Sequence, residues 1–389
     1  MKRDTLLLAA VILLGLNLRP VLAGVGPLLD QIQADTGLDH VGASLLTTLP
    51  VIAMGLGALA ATLLRRLLGE RGGMLCGMLF VMLACLWRWL APSADSLVLS
   101  ALLAGAGIAF VQALLPALIK RRFAADSGRL IGFYSCAIMA GAALAAAGTP
   151  WFAGLFGWPV ALGLWGLPAL LAAGVWLRAT ATPAPPEDTS LALVGLSLWR
   201  SPRAWLLLCF FGIGTGAYTL VLAWLPPYYT ALGWSATSSG LLLGGLTVCE
   251  VIAGLLISSQ LHRWPDRRVP LFMVLSSLLL GLACLVLAPE RLALLVCVLL
   301  GTGIGALFPL SLIIAQDHLD DPQQTGDLLA FVQGGGYLIA ASAPLLAGLV
   351  REYSNDLRLS WIAMAVATLL LAALAYRFKP DSGHFHQPG

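Results

Sequence analysis

Residues 5–29 read TLLLAAVILLGLNLRPVLAGVGPLL, an apolar run whose single charge, Arg19, falls near its middle. A helix needs about 20 apolar residues to cross roughly 30 Å of hydrocarbon, so this stretch is long enough to span a bilayer. Insertion scales put an arginine at the centre of such a helix at about 2.5 to 3.5 kcal/mol, and such a side chain turns toward a polar cavity or a partner. Pro20 removes the backbone bond to Leu16 and can distort that turn, which makes Asn17 a patch for freed backbone groups. Lys2 and Arg3 ahead of the run imitate a signal peptide, but the run reaches Leu29 and further spans follow, so it reads as a retained first span.

Similar runs recur near 41–64, 74–91, 97–119, 130–149, 158–177, 204–226, 237–259, 269–288, 292–315, 328–350 and 359–376. With 59% hydrophobic and 11% charged residues, against about 25% charged in an ordinary soluble domain, the chain is a polytopic membrane protein of twelve helices. The expected fold is all-α and integral to the membrane, with twelve transmembrane helices arranged as two six-helix pseudo-symmetric bundles. The longest interior polar stretch holds Pro183, Pro185 and Pro186. It divides the chain into a bundle over 1–177, a cytoplasmic linker over 178–203, a bundle over 204–376 and a cytoplasmic tail over 377–389. Leu191 to Leu198 is expected to rest on the membrane surface.

Seventeen of the 22 basic residues fall in alternate loops and tails, and only Arg291, Arg351 and Arg358 on the other side. By the positive-inside rule both termini are cytoplasmic, in a multi-pass protein of the cytoplasmic (inner) membrane. The net charge of +3 is accounted for by these flanking residues, which removes the case for a nucleic-acid partner. The seven cysteines lie within apolar runs and lack metal-ligand spacing, the histidines map to loops or tail, and Asp320-Asp321 has no second acidic cluster. Neither a disulfide, a metal nor another cofactor is expected.

A shift of about 196 residues brings Gly37 onto Gly233, Leu45 onto Leu241, and Gly105-Ala-Gly107-Ile108 onto Gly301-Thr-Gly303-Ile304. Pro150-Trp-Phe-Ala-Gly154 repeats as Pro344-Leu-Leu-Ala-Gly348 at nearly the same offset. A near-constant offset close to half the length points to duplicated halves, a hallmark of secondary transporters. Gly301-Thr-Gly303-Ile-Gly305 lacks the spacing of a dinucleotide loop, and with Gly212/Gly216 and Gly240/Gly244 it reads as close helix packing.

Charges and polar groups within spans are the functional candidates. Arg19 has Gly15, Ala23 and Gly26 as helical neighbours, which leave room either for a ligand or for another helix. Arg88, between Trp87 and Trp89 and close to Pro92, can snorkel to the interface or serve the site. Glu250, on one stripe with Thr247 and Gly254, can carry a proton or form an ion pair. Gln112, Tyr218, Gln333 and Tyr337 can hydrogen-bond a small ligand or join helices.

The chain resembles the major facilitator superfamily, and within it the cyanate permease and 2-nitroimidazole transporter family. The pieces that carry the resemblance are Gly15-Leu-Asn17-Leu-Arg19-Pro20, Gly26-Pro27, Leu45-Leu-Thr47-Thr48-Leu-Pro50, Gln112-Ala and Ile119-Lys-Arg-Arg-Phe123. Ala223-Trp224-Leu-Pro226, Asp317-His318 and Ala330-Phe-Val-Gln333-Gly334 are similar to the cyanate permease branch. The superfamily's loop signature between spans 2 and 3 is degenerate here, with Arg65 where an acid is usual. The resemblance implies a cavity lined mainly by spans 1, 4, 7 and 10 and worked by alternating access. It implies substrate-binding roles for Arg19, Gln112 and Tyr218, whereas Glu250 stands outside the family pattern; Trp224, Arg88 and Gln333 complete the expected substrate-binding set.

The expected activity is secondary active transport of a small, cyanate-like anion by a monomer. Inward movement of an anion against an inside-negative potential costs about 2.3 kcal/mol per charge per 100 mV, so proton-coupled uptake with Glu250 as carrier is the expected mechanism. The rival is a carrier of a nitroimidazole, another drug or a small organic acid held by Trp224, Tyr218 and Phe308. A membrane-embedded enzyme or sensor would need a catalytic cluster or an output domain, and the sequence offers neither.

Overall fold

The computed structural model describes residues 2–123, 127–180, 196–260, 263–264, 266–318, 322–354 and 356–377. Among the described residues all regular structure is helical, and twelve segments are long and apolar enough to cross a membrane. They are Thr5–Thr36, His40–Leu59, Leu63–Leu90, Ala94–Arg122, Leu130–Phe156, Trp158–Ala179, Pro202–Ala231, Ala236–Gln260, Arg268–Leu287, Ala293–Gln316, Gln324–Ser354 and Arg358–Ala375, called spans 1 to 12 below. Most of the expected linker and tail, Asp320-Asp321, and residues 191–195 of the segment expected on the membrane surface are outside the described residues; Leu196–Trp199 is a single helical turn.

Two turns show how local sequence sets the ends of spans. Gly37 follows span 1 with φ +68°, and Asp39 then accepts a hydrogen bond from the Gly42 amide at 2.6 Å, capping span 2. Gly233 follows span 7 with φ +94°, and Ser235 accepts from the Ser238 amide at 3.1 Å, capping span 8. The positive φ suits glycine, and the side-chain oxygens satisfy amides that a helix start leaves unpaired. The duplicated halves therefore repeat their turn chemistry as well as their spacing.

The described residues group into two compact units, one from Met1–Leu191 with Leu222–Gly244 and the other from Ala192–Val221 with Gly245–Gly389. In the first, span 4 packs between spans 2 and 3. A Cβ at Gly105 would overlap the Pro50 backbone, and one at Gly107 would overlap the Gly77 carbonyl. In the second, span 10 packs between spans 8 and 9. A Cβ at Gly301 would come within 2.6 Å of the Leu246 carbonyl, and one at Gly303 within 2.8 Å of the Leu278 backbone. The repeated Gly-x-Gly thus turns one glycine to each neighbouring span in both units, which is the close helix packing read from the sequence.

Charges cluster at span ends. Arg121 pairs with Glu70, and Arg267 Nε donates to Asp317 at 2.9 Å. Ahead of span 9, side-chain and backbone hydrogen bonds from Arg268 hold the Asp266 carboxyl below its ordinary range.

Candidate functional site

Span 1 is not one helix. A regular helix ends at Leu16, a short segment runs over Pro20–Ala23, a 3-10 turn over Gly26–Leu28, and helix resumes over Leu29–Thr36. Arg19 sits at the N-terminal edge of the short segment, within the break. The backbone there tightens: the Asn17 and Leu18 amides bond back to Leu14 and Gly15 at 3.2 and 3.1 Å, three residues rather than four.

Groups from beyond the break secure its backbone. Asn17 Nδ2 donates to its own turn at Leu13 O (2.7 Å) and across to Pro168 O on span 6 (3.2 Å). The Leu16 carbonyl rests against the backbone of span 5 at Gly141, where a Cβ would overlap it. The Val21 carbonyl accepts from Arg88 Nη1 at 2.7 Å. Buried carbonyls need such partners, and here two polar side chains, Asn17 and Arg88, supply donors that the interrupted helix does not.

Arg19 itself is 5% exposed, and its Nη1 lies 3.9 Å from Met54 Sδ on span 2. Its small helical neighbours are closely covered. A methyl group placed on Gly15 would lie 3.0 Å from both the ring and the carbonyl of Tyr134, and one placed on Gly26 would lie 3.1 Å from the Leu222 carbonyl. Gln112, on span 4 of the same unit, has a buried Oε1 with no hydrogen-bond partner among the described residues. Trp224 also falls in the first unit. It is 1% exposed, and its ring lies 6.3 Å edge-on from His40.

Arg88 does not reach the lipid interface. It is 1% exposed, and its Nε donates to Ser100 Oγ on span 4 at 2.9 Å.

In the second unit, Glu250 is 4% exposed on span 8, where span 10 approaches closely. A Cβ on Gly305 would overlap the Glu250 backbone. Tyr218 is half-buried on span 7, next to Thr219, whose hydroxyl donates to Ala340 O on span 11 at 2.8 Å. Gln333 is half-buried on span 11, one residue before a glycine run that receives Leu208 and Phe211 of span 7. Phe211 packs on Phe308 at 5.5 Å and on Tyr337 at 5.6 Å, an aromatic cluster in which Phe308 stays 40% exposed.

Residues 6–328 match the Major Facilitator Superfamily. The chain belongs to that family. It is 38% identical to the cyanate transport protein CynX of Escherichia coli K12 over 376 residues, covering 96% of this chain and 97% of that one. It is 33% identical to the 2-nitroimidazole transporter of the same organism over 374 residues, covering 95% and 94%. The crystal structure of a D-xylose–proton symporter superposes with TM-score 0.78 at 13% identity, over 98% of this chain and 100% of that one. This major facilitator protein is therefore a multi-pass membrane transporter and not an enzyme.

Within this transporter the first unit brings together Arg19, Asn17 and Arg88 around one break, and the second joins Phe211, Phe308 and Tyr337 across spans 7, 10 and 11, with Tyr218 on span 7 and Gln333 on span 11. Ser100, Met54 and Tyr134 enter the account only through the structure. Ser100 gave the one visible hint, since a hydroxyl inside the apolar run of span 4 needs a partner. The Asp317-His318 motif lies at the end of span 10: His318 Nε2 accepts from Arg203 at 3.0 Å and its Nδ1 faces Ile314 O at 2.6 Å. With an arginine donating to Nε2, the imidazole carries its proton on Nδ1.

Proposed function

We propose that this transporter carries a small, cyanate-like anion into the cell by alternating access, coupled to protons, with Arg19 as the anion's principal partner. The observation that carries this reading is a guanidinium only 5% exposed at a break in span 1, in a chain 38% identical to a cyanate transport protein. A guanidinium offers fixed donors and a permanent charge, and in a low-dielectric site both act strongly on an anion. Gln112 and Trp224 are further substrate-binding candidates in the same unit, and Tyr218 and Gln333 are the candidates in the second unit.

Glu250 is the proton carrier, since a carboxyl within a membrane span, 4% exposed on span 8, is a group able to take up and release a proton there. The protein works as a monomer in the cytoplasmic membrane with both termini inside, in keeping with the distribution of its basic residues. Radiolabelled cyanate uptake into proteoliposomes, with and without an inward proton gradient, tests the reading. Gradient-stimulated uptake lost in Arg19→Gln supports it, and no uptake by folded wild type removes it.

A second reading has its own observation. The Phe211, Phe308 and Tyr337 cluster, with Phe308 partly exposed, suits a flat aromatic solute, and a 2-nitroimidazole transporter is 33% identical. Competition of uptake by nitroimidazoles and not by small anions selects it.

A further inference from the structure

Arg88 is among the largest side chains in the fold to be fully buried, yet its hydrogen bonds go to no carboxylate. Its Nε donates to Ser100 Oγ, which in turn donates to Leu97 O at 2.7 Å, and its Nη1 donates to Val21 O. The remaining Nη2 is buried with no hydrogen-bond partner among the described residues. Burying a guanidinium so incompletely paired is costly, so what it holds must matter to the fold or to the site.

What it holds is one carbonyl. In a continuous helix the Val25 amide would serve Val21 O, but that amide bonds to Leu22 O at 3.2 Å instead. Val21 lies in the short segment Pro20–Ala23, two residues after Arg19, and the Leu22 and Ala23 amides bond to the Arg19 carbonyl at 3.0 and 2.9 Å. Arg19 and Val21 therefore turn together as one rigid piece. The piece is joined to regular helix at neither end: the chain leaves helix at Leu16 and re-enters it at Leu29. Only three-residue backbone bonds tie it to the flanking turns, so contacts from outside span 1 help to set its rotation, and the charge-assisted bond from Arg88 to its backbone is a short one, 2.7 Å.

We propose that Arg88 is a positioning residue for Arg19. From span 3, braced by Ser100 of span 4, it grips the Val21 carbonyl and so fixes the direction in which the Arg19 guanidinium points. This rests on the reading of Arg19 as the anion's partner. A lysine at position 88 could reach one of the two acceptors but not hold both, because it lacks the planar fork.

The test uses two measurements on the full-length protein. In a background with the seven native cysteines replaced, Arg19→Cys is labelled with a membrane-impermeant thiosulfonate, with and without Arg88→Met. In the native background, the KM and maximal rate of radiolabelled cyanate uptake are measured for Arg88→Met, Arg88→Lys and Ser100→Ala. Loss of one charge-assisted hydrogen bond corresponds to about a tenfold effect, so Arg88→Met is expected to change the labelling rate and raise KM by about that factor. Arg88→Lys should recover part of the loss. Ser100→Ala leaves both arginines in place and keeps the test open if Arg88→Met does not fold; it should change the labelling rate and raise KM by less, with the maximal rate unchanged.

An unchanged labelling rate at position 19 overturns the inference, even if KM rises, because Arg88 would then act on the solute directly. A changed labelling rate with no cyanate uptake by wild type supports the positioning role and removes only the cyanate reading.

Discussion

The two repeats of this transporter keep the same scaffold and differ in what they do with it. Gly37 with Asp39 and Gly233 with Ser235 make the same turn, and the Gly-x-Gly pairs of spans 4 and 10 meet the same neighbours in each unit. Shifted by 196 residues, however, Pro20 falls on Gly216, and span 7 runs as unbroken helix where span 1 is interrupted. By the same shift Met54, the thioether beside Arg19, falls on Glu250. One repeat has a broken span and a cation, and the other an intact span and an acid. If Arg19 binds the anion and Glu250 carries the proton, as proposed, the two repeats divide binding and coupling on one shared scaffold.

The largest expected effect is on the cation. Arg19→Gln should lower cyanate uptake about a hundredfold, equivalent to roughly 3 kcal/mol for a lost charge-assisted contact, while the protein stays monodisperse in detergent. Uptake at the wild-type rate would mean that the broken repeat is not where the anion binds. Next is the acid: Glu250→Gln should preserve exchange of labelled for unlabelled solute but remove about tenfold, gradient-driven accumulation. Normal pH-driven accumulation in this variant would end the division of labour between the halves.

Packing should respond more evenly. Gly141→Ala and Gly305→Ala each place a methyl group against a neighbouring backbone, at the Leu16 carbonyl and at Glu250, and should each cost about 1 to 3 kcal/mol in thermal or denaturant unfolding. Gly174→Ala, with nothing within 4 Å, is the control and should be neutral or slightly stabilising. Smallest are the turns. Gly37→Ala and Gly233→Ala have open space but positive φ, so both should lose about 1 kcal/mol, and by similar amounts. Clearly unequal losses would show that the turns are repeated in sequence but not in function.

Much of this was legible in the sequence because membrane spans declare themselves by length and apolarity, and a duplication by its offset. The twelve spans are present, and Pro20 does mark the break in the first. Asn17 serves backbone carbonyls, as its place in the turn distorted by Pro20 suggested. The destination of Arg88 was not legible: its flanking tryptophans and Pro92 point to the interface, but its acceptors lie on spans 1 and 4 and become neighbours only in the folded chain. Trp224 was equally opaque, since its grouping with the first unit depends on where the end of span 7 packs. Tertiary partners at separations of 67 and 151 residues leave no local pattern to read.

Those separations also set an order of assembly. Synthesis runs from N- to C-terminus, so Arg19 enters the bilayer before its segment has the partners from later spans that secure it. Val21 O has no guanidinium until residue 88 is synthesised, and Asn17 no carbonyl from span 6 until residue 168 follows. Span 1 therefore reaches its final shape only after later spans follow it, and a nascent chain halted before span 6 would still lack one of the stitches that close the break.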